Sequence, residues 1–187
     1  MTLSHLLRSD LRRIETRGGL ARCLYQYFAH PGFRAAALYR IASALRRARV
    51  PALPVLITSR AHSTTGAHIL PGAKIGPGLL LPHPSGVVIG EGVVMGAHCT
   101  LLQGATLGER YSGGDRSYPI LSDGVTMCAG SIAIGGIHIG AGATVGANAV
   151  VISDVASGDT VVGAPARSSI RSGKRPEETL QSLEATR

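Results

Sequence analysis

Tryptophan is absent from these 187 residues, and only two phenylalanines and five tyrosines stand beside that absence. Large rings bury the most area per residue, so a chain this poor in them is badly suited to filling a thick bundle or sandwich. Small branched residues in narrow stacked layers suit it better. Acidic residues are also scarce, 11 against 19 Lys and Arg, for a net charge of +8. The most apolar stretches are short and broken by glycine, which excludes a transmembrane helix. The N-terminus carries Arg8, Asp10, Arg12 and Arg13 in place of the apolar run of a signal peptide. The three cysteines, Cys23, Cys99 and Cys128, are odd in number and fit no zinc spacing. They predict a reduced, cytoplasmic setting and no structural metal.

A positive balance is common in proteins that bind nucleic acid or anionic membranes. Here the basic residues gather at the two ends of the chain. Arg12, Arg13, Arg17, Arg22, Arg34, Arg40, Arg46, Arg47 and Arg49 precede residue 50, and Arg167, Arg171, Lys174, Arg175 and Arg187 lie in the tail. Between residues 61 and 166 only Lys74, Arg110 and Arg116 are basic. That distribution reads as a solvated helical face and a loose tail, so neither nucleic acid nor membrane is an expected partner. Basic side chains would still suit a polyanionic ligand near its phosphates. The apolar share, 44%, against 16% charged residues, is that of a globular chain.

What the chain has in abundance is glycine, 25 residues concentrated after position 66. Before that point the pattern is helical. Leu3, Leu6, Leu7, Leu11 and Ile14 recur at helical spacing and predict a helix over 2–28. His30-Pro31-Gly32 reads as a breaker. Phe33, Ala37, Ile41 and Leu45 form a stripe opposite Arg34, Arg40 and Arg47, which predicts a second helix over 33–49 with the arginines in solvent. A short helix over 55–61 follows Pro51 and Pro54.

After Gly66 an aliphatic residue returns every six positions: Ile69, Ile75, Leu81, then, after a slip of two, Ile89, Met95, Leu101 and Leu107. A longer interruption at Glu109–Pro119 precedes Leu121, Met127, Ala133, Ile139, Val145 and Val151. A period of six is neither helical nor a strand alternation; it is the signature of a parallel β-helix. Each hexad forms one flat side of a triangular coil, the aliphatic residue points to the axis, and small residues turn the corners. About five coils are expected. The domains predicted are a helical region over 1–62, a β-helix over 63–166 and a tail over 167–187. A polar insert such as Glu109–Pro119 has no packing role in a solenoid, which makes it a candidate functional element.

Several stretches resemble the serine O-acetyltransferases. They are Ile69-Leu-Pro-Gly-Ala-Lys-Ile-Gly76, His83-Pro-Ser-Gly-Val-Val-Ile-Gly-Glu91, Leu102-Gln-Gly-Ala-Thr-Leu-Gly108, Ser112-Gly-Gly-Asp-Arg116 and Val162-Gly-Ala-Pro-Ala-Arg167. The resemblance covers about residues 30–167 and implies a left-handed parallel β-helix behind a small α-helical region. It also implies acetyl-CoA as co-substrate and a homotrimer with active sites between subunits. Pairing of two trimers is left open, because the helical region is short. His83 matches the family's general base, which takes the proton of the acceptor hydroxyl as the oxygen attacks the thioester; imidazole suits that role because it titrates near neutral pH. Arg116 matches a carboxylate-binding arginine, and Ser117 or Tyr118 falls where the family has a histidine. Gly108, Ala129, Ala147 and Ser131 match positions whose backbone meets the pantetheine arm, and Arg167 is a candidate phosphate partner.

The chain departs from the family where the acceptor binds. His68 stands in place of the aspartate that orients the catalytic histidine, and Pro82 in place of an aspartate that holds the serine amine. A neutral His68 can accept a hydrogen bond from an imidazole but supplies no fixed negative charge. The expected activity is therefore acetyl transfer to the hydroxyl of serine or a serine-like molecule. A sugar or specialised-metabolite acceptor and a non-catalytic, partner-binding β-helix are the alternatives. The family's docking through a C-terminal isoleucine is not expected of a chain ending Ala185-Thr-Arg187. His62, His68, His83, His98 and His138 lack the motif of a hexapeptide carbonic anhydrase.

Overall fold

The six-residue period builds three flat sheets that run the length of a solenoid. In the computed structural model, which describes residues 1–14, 20–112 and 115–169, each sheet is one side of a triangular coil. The first side stacks β1 (His68–Ile69), β3 (Val88–Ile89), β6 (Thr106–Gly108), β11 (Ile132–Ile134) and β14 (Val150–Val151). The second stacks β2 (Lys74–Ile75), β4 (Val94–Met95), β9 (Ile120–Leu121) and β12 (His138–Ile139), with Ile139 bridging on to Val155. The third stacks β5 (Thr100–Leu101), β10 (Thr126–Met127), β13 (Thr144–Val145) and β15 (Thr160–Val162), with Leu80 bridging to Thr100. All these pairings are parallel, and they make five coils. β16 (Arg167–Ser168) then folds back antiparallel on β15, so the solenoid extends into the expected tail. Residues 170–187, with Arg171, Lys174, Arg175 and Arg187, lie outside the described residues.

In each two-residue strand of the three parallel sides the second residue points inward and is buried. Ile89, Leu101, Leu107, Met127, Ile139 and Val145 have no measurable exposure. Small residues two positions earlier, such as Ala105 and Ala143, fill the space between the layers. Backbone groups at the corners pair with the coil above or below, so the narrow solenoid leaves few of them unsatisfied.

Four helices precede the coils, α1 (Leu3–Arg12), α2 (Leu20–Ala29), α3 (Pro31–Arg47) and α4 (Leu53–Thr65); α1, α3 and α4 pack on the first coil, and α2 packs on α3. The single helix expected over 2–28 is two helices. Arg13 and Ile14 donate to the carbonyls three residues back, Asp10 and Leu11, which closes α1 in a tight last turn. Pro31 opens α3 where a breaker was expected, because proline at the first helical position gives up an N–H that has no helical partner. α4 runs longer than predicted and ends on Gly66, whose φ of +74° turns the chain into the first coil.

Arg40 corrects the amphipathic reading of α3. Its side chain is 2% exposed and clasps Asp10 of α1, itself 1% exposed, through Nε (2.9 Å) and Nη2 (3.1 Å). It also donates to the carbonyls of Ile75 and Gly76. The Asp10 carboxylate accepts a third bond from the Leu79 amide at 2.9 Å. One buried ion pair therefore ties α1, α3 and the first coil together, whereas a helical wheel placed Arg40 in solvent.

Candidate active site

The candidate site residues fall on two of the solenoid's edges. The first edge lies between the third side of one coil and the first side of the next. It is a column of turns in which Gly86, Gly104, Gly130 and Asn148 all have positive φ, from +56° to +72°. A Cβ on Gly86 would stand 3.4 Å from the Gly104 Cα, and one on Gly104 the same distance from the Gly130 Cα, so the column stacks closely. Each turn donates to the one beneath: Gly86 to Gly66 (3.0 Å), Gly104 to Ser85 (2.9 Å), Gly130 to Gln103 (2.8 Å) and Asn148 to Ala129 (2.9 Å).

His83 heads this edge. Ile69 pairs with Ile89, while Ile89 pairs with Leu107, a spacing two residues shorter. The surplus is accommodated in the turn Pro82–Gly86, which carries His83 out of the wall. Pro84 is buried and accepts from the Val87 amide at 3.1 Å, which fixes the turn, and the His83 ring stands exposed. Ala129 and Ala147 lie on the same edge, one residue before the positive-φ positions, with Ala147 exposed. Ser131 does not face outward. It is fully buried, and its hydroxyl donates to the Cys128 carbonyl at 2.6 Å, satisfied within the coil. Arg167 is exposed on β16, with Nη1 on the Ala166 carbonyl.

His68 is on β1, exposed, with its ring 5.3 Å from that of His62 on α4. No hydrogen bond among the described residues joins His68 to His83. His62 was not singled out from the sequence as a neighbour of the site; it lies on a helix whose packing against β1 the period of six cannot show.

The second edge follows the first side of each coil. Here the Glu109–Pro119 insert forms a hairpin of β7 (Arg110–Ser112) and β8 (Asp115–Ser117), with Tyr111 opposite Arg116. Gly108 ends β6 just before it. The hairpin is seated on glycines of the neighbouring coils. A Cβ on Gly136 would lie 3.0 Å from the Ser117 Cβ, and one on Gly92 would overlap the Tyr118 ring. Tyr118 packs against the core and donates its hydroxyl to Glu109 Oε2 at 2.6 Å, a bond to a carboxylate that pushes the phenol's pKa above its ordinary value. Arg116, two-thirds exposed, is 3.5 Å from the same carboxylate oxygen and keeps most of its N–H donors for solvent or a ligand. Ser117 Oγ donates to the Arg110 carbonyl at 3.4 Å. Glu109 is thus the anchor of the insert, a role that its place in a polar stretch did not mark.

His83 and Arg116 flank the same sheet from opposite edges. A strand rises about 3.3 Å per residue, so one side of a coil separates them by roughly 15–20 Å. Within one chain the structure brings His83, Ala129 and Ala147 together, and separately Gly108, Arg116, Ser117 and Tyr118.

The fold recurs in proteins of known activity. A serine acetyltransferase of the cyanobacterium Synechococcus elongatus is 39% identical over 170 residues, which span 90% of this chain and 70% of that protein. The crystal structure of Neisseria gonorrhoeae serine acetyltransferase superposes with a TM-score of 0.81 at 34% identity, covering 95% of this chain and 70% of that one. The chain belongs to the serine acetyltransferases. Soybean serine acetyltransferase in complex with serine gives a TM-score of 0.80 at 36% identity, over 89% of this chain and 69% of that one. No family model matches the chain. As in other serine acetyltransferases, the hexapeptide coils form a left-handed β-helix. The family is an acyltransferase class that uses acetyl-CoA as co-substrate. Among the described residues no cluster of three His, Cys, Asp or Glu is placed to hold a metal ion, and no helix is long and apolar enough to cross a membrane.

Proposed function

We propose that this chain transfers the acetyl group of acetyl-CoA to the hydroxyl of serine or a serine-like small molecule, with His83 as general base. Family membership supports the reaction. The observation that supports the assignment is the position of His83, displaced from the wall by the surplus residues of its turn and exposed at the head of the Ala129–Ala147 edge. A neutral alcohol is a poor nucleophile, and a positioned imidazole that removes its proton contributes about 10²–10⁴-fold. Acetyl-CoA supplies the activated thioester. The small side chains of Ala129 and Ala147 leave backbone open to a pantetheine arm along the edge, and exposed Arg167 is available to a phosphate. Gly108 lines the start of the hairpin on the facing edge. Arg116 holds a carboxylate of the acceptor through its open donors, with Ser117 and Tyr118 shaping the hairpin around it. His68 stands near the turn without a fixed charge, so imidazolium formed at His83 gains less support than an aspartate would give.

Because His83 and Arg116 lie on opposite edges, each site needs the first edge of one subunit and the hairpin of the next. That arrangement calls for a cyclic oligomer, and a homotrimer is the assembly proposed. The test uses thiol release from acetyl-CoA with L-serine and a panel of hydroxyl acceptors. His83→Ala is expected to abolish turnover and leave folding intact. Mixing inactive His83→Ala and Arg116→Ala chains after dissociation is expected to restore activity at about a quarter of the sites, where both native groups meet. Wild-type turnover by His83→Ala, or mixing that restores nothing while both variants assemble, would refute the assignment.

A further inference from the structure

A cavity of about 380 Å³ opens where α1 and α3 meet the second side of the first coils, within the size range of small-ligand sites. It shares no residue with either edge of the acyl-transfer site. Leu6, Ile75 and Met95 give it an apolar wall, while Arg40, Arg47 and Lys74 line it with positive charge. No Asp or Glu lines it. Arg40 is spent, its donors given to Asp10 and to the Ile75 and Gly76 carbonyls. The other two cations are not. Arg47 gives one N–H to the Ser43 hydroxyl at 2.9 Å, and the Lys74 ammonium has no hydrogen-bond or ion-pair partner among the described residues. They belong to different elements, α3 and β2, and both line the cavity.

Two cations without a carboxylate beside an apolar surface are complementary to an anion that carries its own apolar body. We propose that this cavity binds a small molecule with a carboxylate on a short aliphatic chain. The carboxylate lies between Arg47 and Lys74 and the chain lies against Leu6, Ile75 and Met95. Such a ligand bridges helices and solenoid, and its binding adds to the docking of α1.

Calorimetric titration of the full chain with hexanoate tests this, with inorganic phosphate and hexan-1-ol as arms that supply charge alone and apolar body alone. Hexanoate is expected to saturate one site per chain, with a dissociation constant on the order of 1 mM or tighter. Phosphate and hexan-1-ol are expected to bind at least about tenfold more weakly. The Arg47→Met/Lys74→Met variant is expected to lose hexanoate binding by at least about tenfold and to keep wild-type acetyl transfer. If that variant does not fold, Lys74→Glu alone carries the same expectation. Absence of saturation, unchanged binding in a folded variant, or equal binding of hexan-1-ol overturns the proposal.

Discussion

Replacing Asp10 with alanine is expected to release α1 from the solenoid and leave the coils standing. The carboxylate accepts three hydrogen bonds, two from Arg40 and one from the Leu79 amide, all between 2.9 and 3.1 Å. Removing one partner of a buried pair costs about 3–5 kcal/mol, because the remaining charge stays buried without compensation. The carbonyls of Ile75 and Gly76 still accept from Arg40, which places the cost toward the lower end of that range. The apolar attachment of α1 is small, since only Leu6 and Leu11 are buried on it. At about 1.5–3 kcal/mol for each buried aliphatic side chain, that attachment is of the same size as the loss. Arg13, half-buried, donates to the His98 carbonyl and the Thr100 hydroxyl at 2.9 Å and holds only the C-terminal end of α1. Hydrogen exchange read by mass spectrometry is the assay. Amide protection in residues 3–12 is expected to fall by roughly two to three powers of ten, with residues 121–145 unchanged. The Asp10→Leu/Arg40→Met pair, which removes both charges, is expected to recover most of it. Protection in α1 within tenfold of wild type, or a loss spread evenly over the coils, would refute the reasoning.

Gly92→Ala places a methyl group against the Tyr118 ring and is expected to lower turnover about tenfold or more by lifting the hairpin. A far-ultraviolet spectrum identical to wild type with unchanged turnover would count against the seating of Tyr118 there. Leu107→Ala, at a position with no exposure in the middle coil, is expected to cost about 2–5 kcal/mol in urea unfolding. Burial pushes the Cys99 thiol above its ordinary value, so iodoacetamide at mildly alkaline pH is expected to label Cys128 well before Cys99, by peptide mapping. Burial likewise raises the pKa of Tyr39, against the opposing pull of Arg40 and Arg47. The neutral phenol is the form favoured by folding. Its contribution is present in full below pH 10, the ordinary value, and is lost as pH rises through the raised folded value. Tyr39→Phe is expected to flatten that alkaline limb in a pH series of thermal midpoints and to weaken the protein below it, where the hydrogen bond to the Ala73 carbonyl is lost.

The coils were legible in the sequence because their period and their burial have one cause. Ile89, Leu107, Ala133 and Val151 recur in sequence and occupy the same interior position in successive coils. His83 was singled out by its match to the family motif, and its turn is where that period breaks. The pattern was silent where a contact joins residues of different periods. Arg40 and Asp10 are thirty residues apart on separate helices, and nothing local distinguishes their buried charges from the solvated arginines around them. The fit of Tyr118 against Gly92, and the hydroxyl it gives to Glu109, depend on how the insert folds back, which composition does not specify. The side-chain direction of Ser131 was also not legible in its position. Its hydroxyl turns into the coil to satisfy the Cys128 carbonyl, although its neighbours Ala129 and Gly130 are at the surface turn.

The hairpin leaves the third coil after Gly108, and the chain rejoins it at Ile120, which pairs with Val94 in unbroken register. The wall closes as though the intervening residues were absent. Beyond its seat on Gly92 and Gly136, such a side branch is free of the stacking rules that govern the turns of the wall. Lengthening a surface loop costs little, about 0.6 kcal/mol per doubling. Mutation can therefore rewrite the surface proposed to meet the acceptor, residue by residue, while the ladder of turns beneath His83 stays fixed. One scaffold can change what it acetylates without re-evolving how it stands up.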